Sequence, residues 1–302
     1  MTRVFLIATF SFGAGMGLAA AQQSAQQSAQ PLAQQSGPVS LDHLLDVLQA
    51  NNMEYARSVP NFFCQERVSS EIEPNGTPFG RRVIVTESTF RIRRTPAPNG
   101  LVDLKESRDV KRVNGKLYQS DDEVEKLAGP SMVFGIFSTA LSLVAADQKP
   151  CFDYKFASPK KQDPPHVLVI EYVARKPDVR PATCIEKELS RGRALIDPAT
   201  LRVTRMEQKT NAHTIMPGLD GQWTWTVDYA PSDLGGKTFW LPTRIVSLQL
   251  ADRNLSQWNF DGTYTDYHRL SATTKILPMS EGALTEDGAA PATPGSKPAH
   301  PQ

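Results

Sequence analysis

From Trp223 to Tyr229 the chain reads Trp-Thr-Trp-Thr-Val-Asp-Tyr, with apolar and polar residues in strict alternation. Successive side chains of a β-strand point to opposite faces, so this pattern makes one face apolar and leaves the other polar. Such a strand cannot stand alone, because its apolar face has to be covered by another part of the chain. The same demand recurs along the sequence. Strand signals run over 65–72, 81–93, 102–113 and 116–119, and then over 152–156, 167–174, 186–196, 201–209, 238–250 and 258–269. Turn chemistry separates them. Asn114-Gly115 marks a tight hairpin, because both central residues must take positive φ. Asp197-Pro198-Ala199-Thr200 marks another turn. Strands that follow one another at this spacing predict an antiparallel meander, since parallel pairing needs long crossovers.

Two stretches change the period. Ser40 can cap a helix that runs to about Arg57, with Leu41, Leu44, Leu45 and Leu48 on one apolar stripe. Val59-Pro60-Asn61 ends it, since the residue before a proline avoids helical angles. In the middle of the chain, 121–128 is polar and reads as a short helix. Pro130 suits the first turn of a second helix that continues to about Ala146. Met132, Val133, Phe134, Ile136, Phe137, Leu141, Leu143 and Val144 cover nearly its whole circumference. A helix apolar all round is buried in a core or in lipid. This one is too short to span a bilayer and carries Ser138, Thr139 and Ser142, so it is expected inside the protein.

The ends read differently. Met1-Thr2-Arg3, an uncharged apolar run and Ala19-Ala20-Ala21 make 1–21 an expected cleavable export signal. The competing reading is a retained anchor. The Gly- and Ala-rich second half of the run is weakly apolar and favours cleavage. No Cys follows the run, so no lipid anchor is expected there. Residues 22–38 form a Gln/Ser/Ala tract with little to bury, and 279–302 are similarly polar; both are expected to be disordered. A single domain is therefore expected over 39–278, exported to the periplasm or beyond, and not an integral membrane protein after cleavage.

The 33 lysines and arginines balance 32 acids, and removing Arg3 with the signal leaves the remainder formally neutral. That balance gives no reason to expect nucleic acid or an anionic membrane as a partner. Three cysteines can close one pair in an oxidising compartment. Cys151 and Cys184 bracket an apparent hairpin and are the favoured pair. Cys64 with either of them is the alternative, and three buried free thiols is the third reading. The histidines lack metal spacing, and no catalytic motif or cofactor signature is present, so no catalytic residue, metal or cofactor is expected. Glu186, Glu188 and Asp197 are carboxylates that folding could bring together, as a hydrolase would need.

Gly192 to Glu207 resembles a strand-turn-strand element of the lipoprotein-carrier superfamily: an aliphatic strand, an Asp-x-x-Thr turn at Asp197 to Thr200, and a return strand. Phe239-Trp240-Leu241-Pro242-Thr243 resembles the start of the strand that follows. Val59 to Cys64 resembles a segment of exported proteins from soil bacteria. The superfamily resemblance implies an α+β, β-rich fold, an open antiparallel half-barrel wrapping apolar helices. The superfamily's lid-closing arginine matches no single position, and Arg91, Arg93 and Arg94 are equivalent candidates. Phe134, Phe137, Leu141, Trp223, Trp225 and Tyr229 become the expected lining of an apolar cavity. The leading expectation is a non-enzymatic protein that binds a hydrophobic ligand, such as a lipid, an acyl chain or a lipidated protein. An envelope scaffold and a hydrolase are the alternatives.

Overall fold

Ser40 caps the first helix, accepting a hydrogen bond from the His43 amide at 3.2 Å, and helix α1 runs over Leu41–Ser58. It ends where Val59 turns extended before Pro60. Leu44, Leu45 and Leu48 are its buried residues. The computed structural model describes residues 39–74, 80–96, 102–118, 133, 135–253 and 256–270.

Eleven antiparallel strands form one sheet. The first four are β1 (Phe62–Glu73), β2 (Arg82–Pro96), β3 (Val102–Val113) and β4 (Lys116–Leu117). Asn114 and Gly115 take φ of 49° and 78° and close the β3–β4 hairpin, as their sequence requires. The remaining strands are β5 (Phe152–Ala157), β6 (Leu168–Ala174), β7 (Ser190–Asp197), β8 (Arg202–Met216), β9 (Leu219–Asp233), β10 (Thr238–Ala251) and β11 (Gln257–Arg269). Their order in space is β4-β3-β2-β1-β11-β10-β9-β8-β7-β6-β5. Every neighbour is thus a sequence neighbour except β1 and β11, which pair from Phe62 opposite Arg269 to Glu73 opposite Gln257.

That order places β4 and β5, consecutive in sequence, on opposite edges. The chain between them must cross the sheet, and its described part lies against the apolar face. Glu106 on β3 accepts hydrogen bonds from the amides of Gly135 (3.0 Å) and Ser138 (3.1 Å), while Tyr154 on β5 donates to the Leu143 carbonyl at 2.7 Å. β3 and β5 are nine strand spacings apart, roughly 43 Å in a flat sheet. Ser138 to Leu143 reaches at most roughly 18 Å when extended. The sheet must therefore curl around this segment, and it forms an open half-barrel.

The crossing segment departs from the sequence expectation. Among its described residues one α-helical turn, α2, covers Ile136–Thr139, and two 3₁₀ turns follow at Ala140–Val144 and Ala146–Gln148. Gly135 at φ 81° and extended Ala145 break what apolar periodicity alone would make continuous. The burial expectation survives, with Ile136, Phe137, Ala140, Leu143 and Val144 in the core. The 121–128 helix, Pro130 and Phe134 lie outside the described residues.

A second correction concerns the strand expected over 186–196, which begins only at Ser190. The preceding residues are engaged elsewhere. Cys184 is bonded to Cys151, and the Arg180 guanidinium occupies the carbonyls of Lys187 and Glu188. Glu186 accepts from Gln208 Nε2, and Glu188 accepts from the Thr214 amide. Cys64 is free and buried. Among the described residues no helix is long and apolar enough to cross a membrane.

Glu106→Ala removes the acceptor of both amide bonds and of the Ser138 hydroxyl. We expect a loss of about 1–3 kcal/mol in urea unfolding. Amide exchange should quicken over 135–144 while the β9 and β10 amides keep their protection.

Candidate functional site

Beyond Leu48 the inward face of helix α1 continues through the polar Asn52 and then Tyr55, spaced so that all three share one side. Asn52 Nδ2 donates to the Leu141 carbonyl at 2.8 Å, Asn51 Nδ2 to Leu201 O at 3.1 Å, and Gln49 Oε1 accepts from the Asp147 amide at 3.1 Å. Three amide side chains thus clamp the helix to the crossing segment and the sheet. Packing between them is incomplete. A cavity of about 340 Å³ remains, bordered by Tyr55, Leu104, Phe137, Leu141, Tyr229 and Trp240. It shares Asn52, Ala56, Val102 and Ser142 with a second hollow of about 370 Å³ and shares Asn52, Tyr55, Leu141 and Trp240 with a third of about 100 Å³. Asn52 borders all three.

Two hydroxyls distinguish this cavity. Those of Tyr55 and Tyr229 are buried and have no hydrogen-bond partner among the described residues. Burial pushes both phenols well above their ordinary range, and for Tyr229 a charge on Tyr55 would add to the shift. Both therefore stay protonated at any physiological pH and can donate. Of the ionisable groups that line the cavity only Asp103 is a carboxylate, and no histidine, cysteine or lysine contributes. Asn52, Asp103, Ser138, Thr139 and Ser142 give the wall a polar share beside its apolar residues.

Beneath the cavity Phe137 packs against Phe90 at 4.7 Å, Tyr264 at 5.0 Å and Phe62 at 6.2 Å between ring centres. Beside this cluster the Arg108 Nε lies 2.9 Å from both oxygens of Glu66, the two side chains being 6% and 0% exposed. The guanidinium also lies 4.9 Å from the Phe90 ring centre. Burial raises the Glu66 carboxyl and Arg108 works against that shift. For Arg108, burial opposes the charge, but Glu66, Tyr264 and Glu106 outweigh it and hold the guanidinium protonated.

The structure brings Phe137, Leu141 and Tyr229 to one cavity. Trp225 is a core residue that does not border it, and Trp223 sits at the margin, stacked on His213 at 4.5 Å with its Nε1 donating to Ser247 Oγ. The shared strand face of the two tryptophans is real, but β9 carries them away from the crossing segment. Sequence reading passed over Tyr55, Asn52 and Trp240. The first two continue the leucine stripe at helical spacing, a signal that was open to view. None of the three candidate arginines, Arg91, Arg93 and Arg94, hydrogen-bonds or ion-pairs with the described residues of the crossing segment. Arg91 pairs with Asp109, Arg94 donates to the Arg57 carbonyl, and Arg93 is exposed. The carboxylate Glu106 holds that segment instead. Glu186, Glu188 and Asp197 do not converge on one site. The last accepts within its own turn from Ala199 N and Thr200 Oγ1. No cluster of three metal-ligating side chains occurs among the described residues.

The chain is similar in structure to a LolA superfamily protein from Nitrosomonas europaea. The two are 9% identical with a TM-score of 0.33, over 76% of this chain and 95% of the other. It is also similar to a DUF1329 family protein from Desulfovibrio piger, 10% identical with a TM-score of 0.37, over 75% and 95% of the two chains. No family model matches the sequence, and no curated protein matches it significantly. Similarity at this level says nothing of ligand or activity.

Glu66→Ala leaves Arg108 buried beside Phe90 without its carboxylate. We expect a loss of about 3–5 kcal/mol. Replacing both residues by Met should restore most of it, as chemical denaturation of the three variants would show.

Proposed function

We propose that the concave cavity binds a hydrophobic ligand, either an acyl chain or the lipid moiety of a lipidated protein, in an exported, non-enzymatic protein. The observation that carries this reading is the pair of unpartnered hydroxyls of Tyr55 and Tyr229 at a cavity that also presents Leu104, Phe137, Leu141 and Trp240. A buried hydroxyl without a partner costs about 1–3 kcal/mol, and an ester or amide carbonyl at the head of an acyl chain would supply the missing acceptor. The acyl body would lie against Leu104, Phe137, Leu141 and Trp240. Access needs little disruption, because the described part of the roof is one helical turn followed by 3₁₀ turns. Few hydrogen bonds within that segment need to break for it to move.

Displacement of an environment-sensitive fluorescent fatty acid by monodecanoyl glycerol tests this. Leu141→Trp, which fills the cavity, should weaken binding at least about tenfold, equivalent to about 1.4 kcal/mol. Tyr229→Phe should weaken monodecanoyl glycerol about three- to tenfold and leave a plain hydrocarbon probe unaffected. Equal probe binding by wild type and Leu141→Trp would sink the proposal.

A further inference from the structure

The opposite face of the sheet carries a second hollow, away from the core. On β6 the residues Ile170, Tyr172 and Ala174 belong to the core, so Glu171 and Val173 between them point the other way. Registers across the neighbouring strands then arrange the outer side chains in rows. One row runs Lys155, Glu171, Arg193, Glu207, Thr226. Its charges alternate in sign, and they pair: Lys155 with Glu171 at 3.2 Å, and Arg193 with Glu207 at 3.5 Å. Asp163, from the β5–β6 connection, also pairs with Arg193.

The adjacent row reads Val173, Arg191, Lys209, Thr224. Here Arg191 and Lys209 stand directly opposite one another across β7 and β8, and neither has an ion-pair partner among the described residues. Like charges directly opposite on a sheet repel and destabilise the pairing. A hollow of about 610 Å³ covers both rows and is bordered by five cationic side chains against two carboxylates. Arg193 at its floor is only 6% exposed, and its Nε is buried without a partner.

We propose that this outer hollow binds a phosphate group. Arg191 and Lys209 supply its counter-charge, and the Thr224 hydroxyl on the same row is placed to add a hydrogen bond. Guanidinium and ammonium groups side by side fit the oxygens of such an anion, and a bound dianion would convert the repulsion between the two cations into attraction. The site is independent of the concave cavity, so the two proposals can fail separately. Phosphate of this kind could come from a soluble phosphorylated molecule or from a phospholipid headgroup.

The test uses inorganic phosphate, followed by calorimetry and by the melting temperature. Wild type should bind phosphate and melt higher in its presence. Lys209→Glu places a carboxylate opposite Arg191, so without phosphate it should melt higher than wild type, and it should bind phosphate at least about tenfold more weakly. Lys105→Glu makes the same charge change at an exposed position on β3 and should bind like wild type. Sedimentation with phosphatidylglycerol but not phosphatidylcholine vesicles, lost in Lys209→Glu, would assign the headgroup as the source. Phosphate binding without sedimentation would assign a soluble one. Absence of both, or an equal loss in Lys105→Glu and Lys209→Glu, would overturn the site.

Discussion

An antiparallel sheet whose two sequence-adjacent strands sit on opposite edges forces the chain to travel across one of its faces. In this protein β4 and β5 are those strands, and the described part of the connection between them covers the apolar face together with helix α1. Curling, core formation and the cavity all follow from that one topological fact. A short segment that touches both β3 and β5 can do so only if the sheet bends toward it. Because the segment is broken by Gly135 and Ala145 into helical and 3₁₀ turns, it fills the half-barrel unevenly and leaves the hollow beneath α1.

Burying a broken segment exposes backbone groups that a continuous helix would satisfy itself. Glu106 takes the amides at the start of α2, Asn52 takes the Leu141 carbonyl, and Tyr154 takes the Leu143 carbonyl. Arg108 and Glu66 are buried as an ion pair beside the Phe90 ring, with Tyr264 interacting with both side chains. Other buried polar atoms also lack partners among the described residues, Thr210 Oγ1 and Gln249 Oε1 for example, but the hydroxyls of Tyr55 and Tyr229 are the two that belong to residues bordering one cavity. On the outer face the same contrast holds between a row of alternating charges that are paired and a row with two cations that are not.

Much of this was legible in the sequence because it depends on local chemistry. Ser40 as a cap, Val59-Pro60 as a stop, Asn114-Gly115 as a hairpin and the alternation of β9 all act within a few residues. The half-barrel expectation grew from the same alternation, repeated, together with the resemblance of Gly192 to Glu207. Gly192 itself shows why that element is constrained, since a Cβ there would meet the Tyr172 ring at 2.2 Å. The cavity lining was half legible: Phe137, Leu141 and Tyr229 converge, whereas Trp223 and Trp225 do not.

What the sequence determined alone was which residues face the core and where strands turn, because side-chain alternation and turn dihedrals are properties of adjacent residues. Only the tertiary structure decided that β1 closes on β11, that the apolar middle segment breaks into short turns, and that Tyr55 and Tyr229 meet one cavity from helix and sheet. The first and last of those outcomes rest on contacts between residues more than a hundred positions apart. Pairing across such distances is selected by the packing of the whole curved sheet, and no local pattern encodes it.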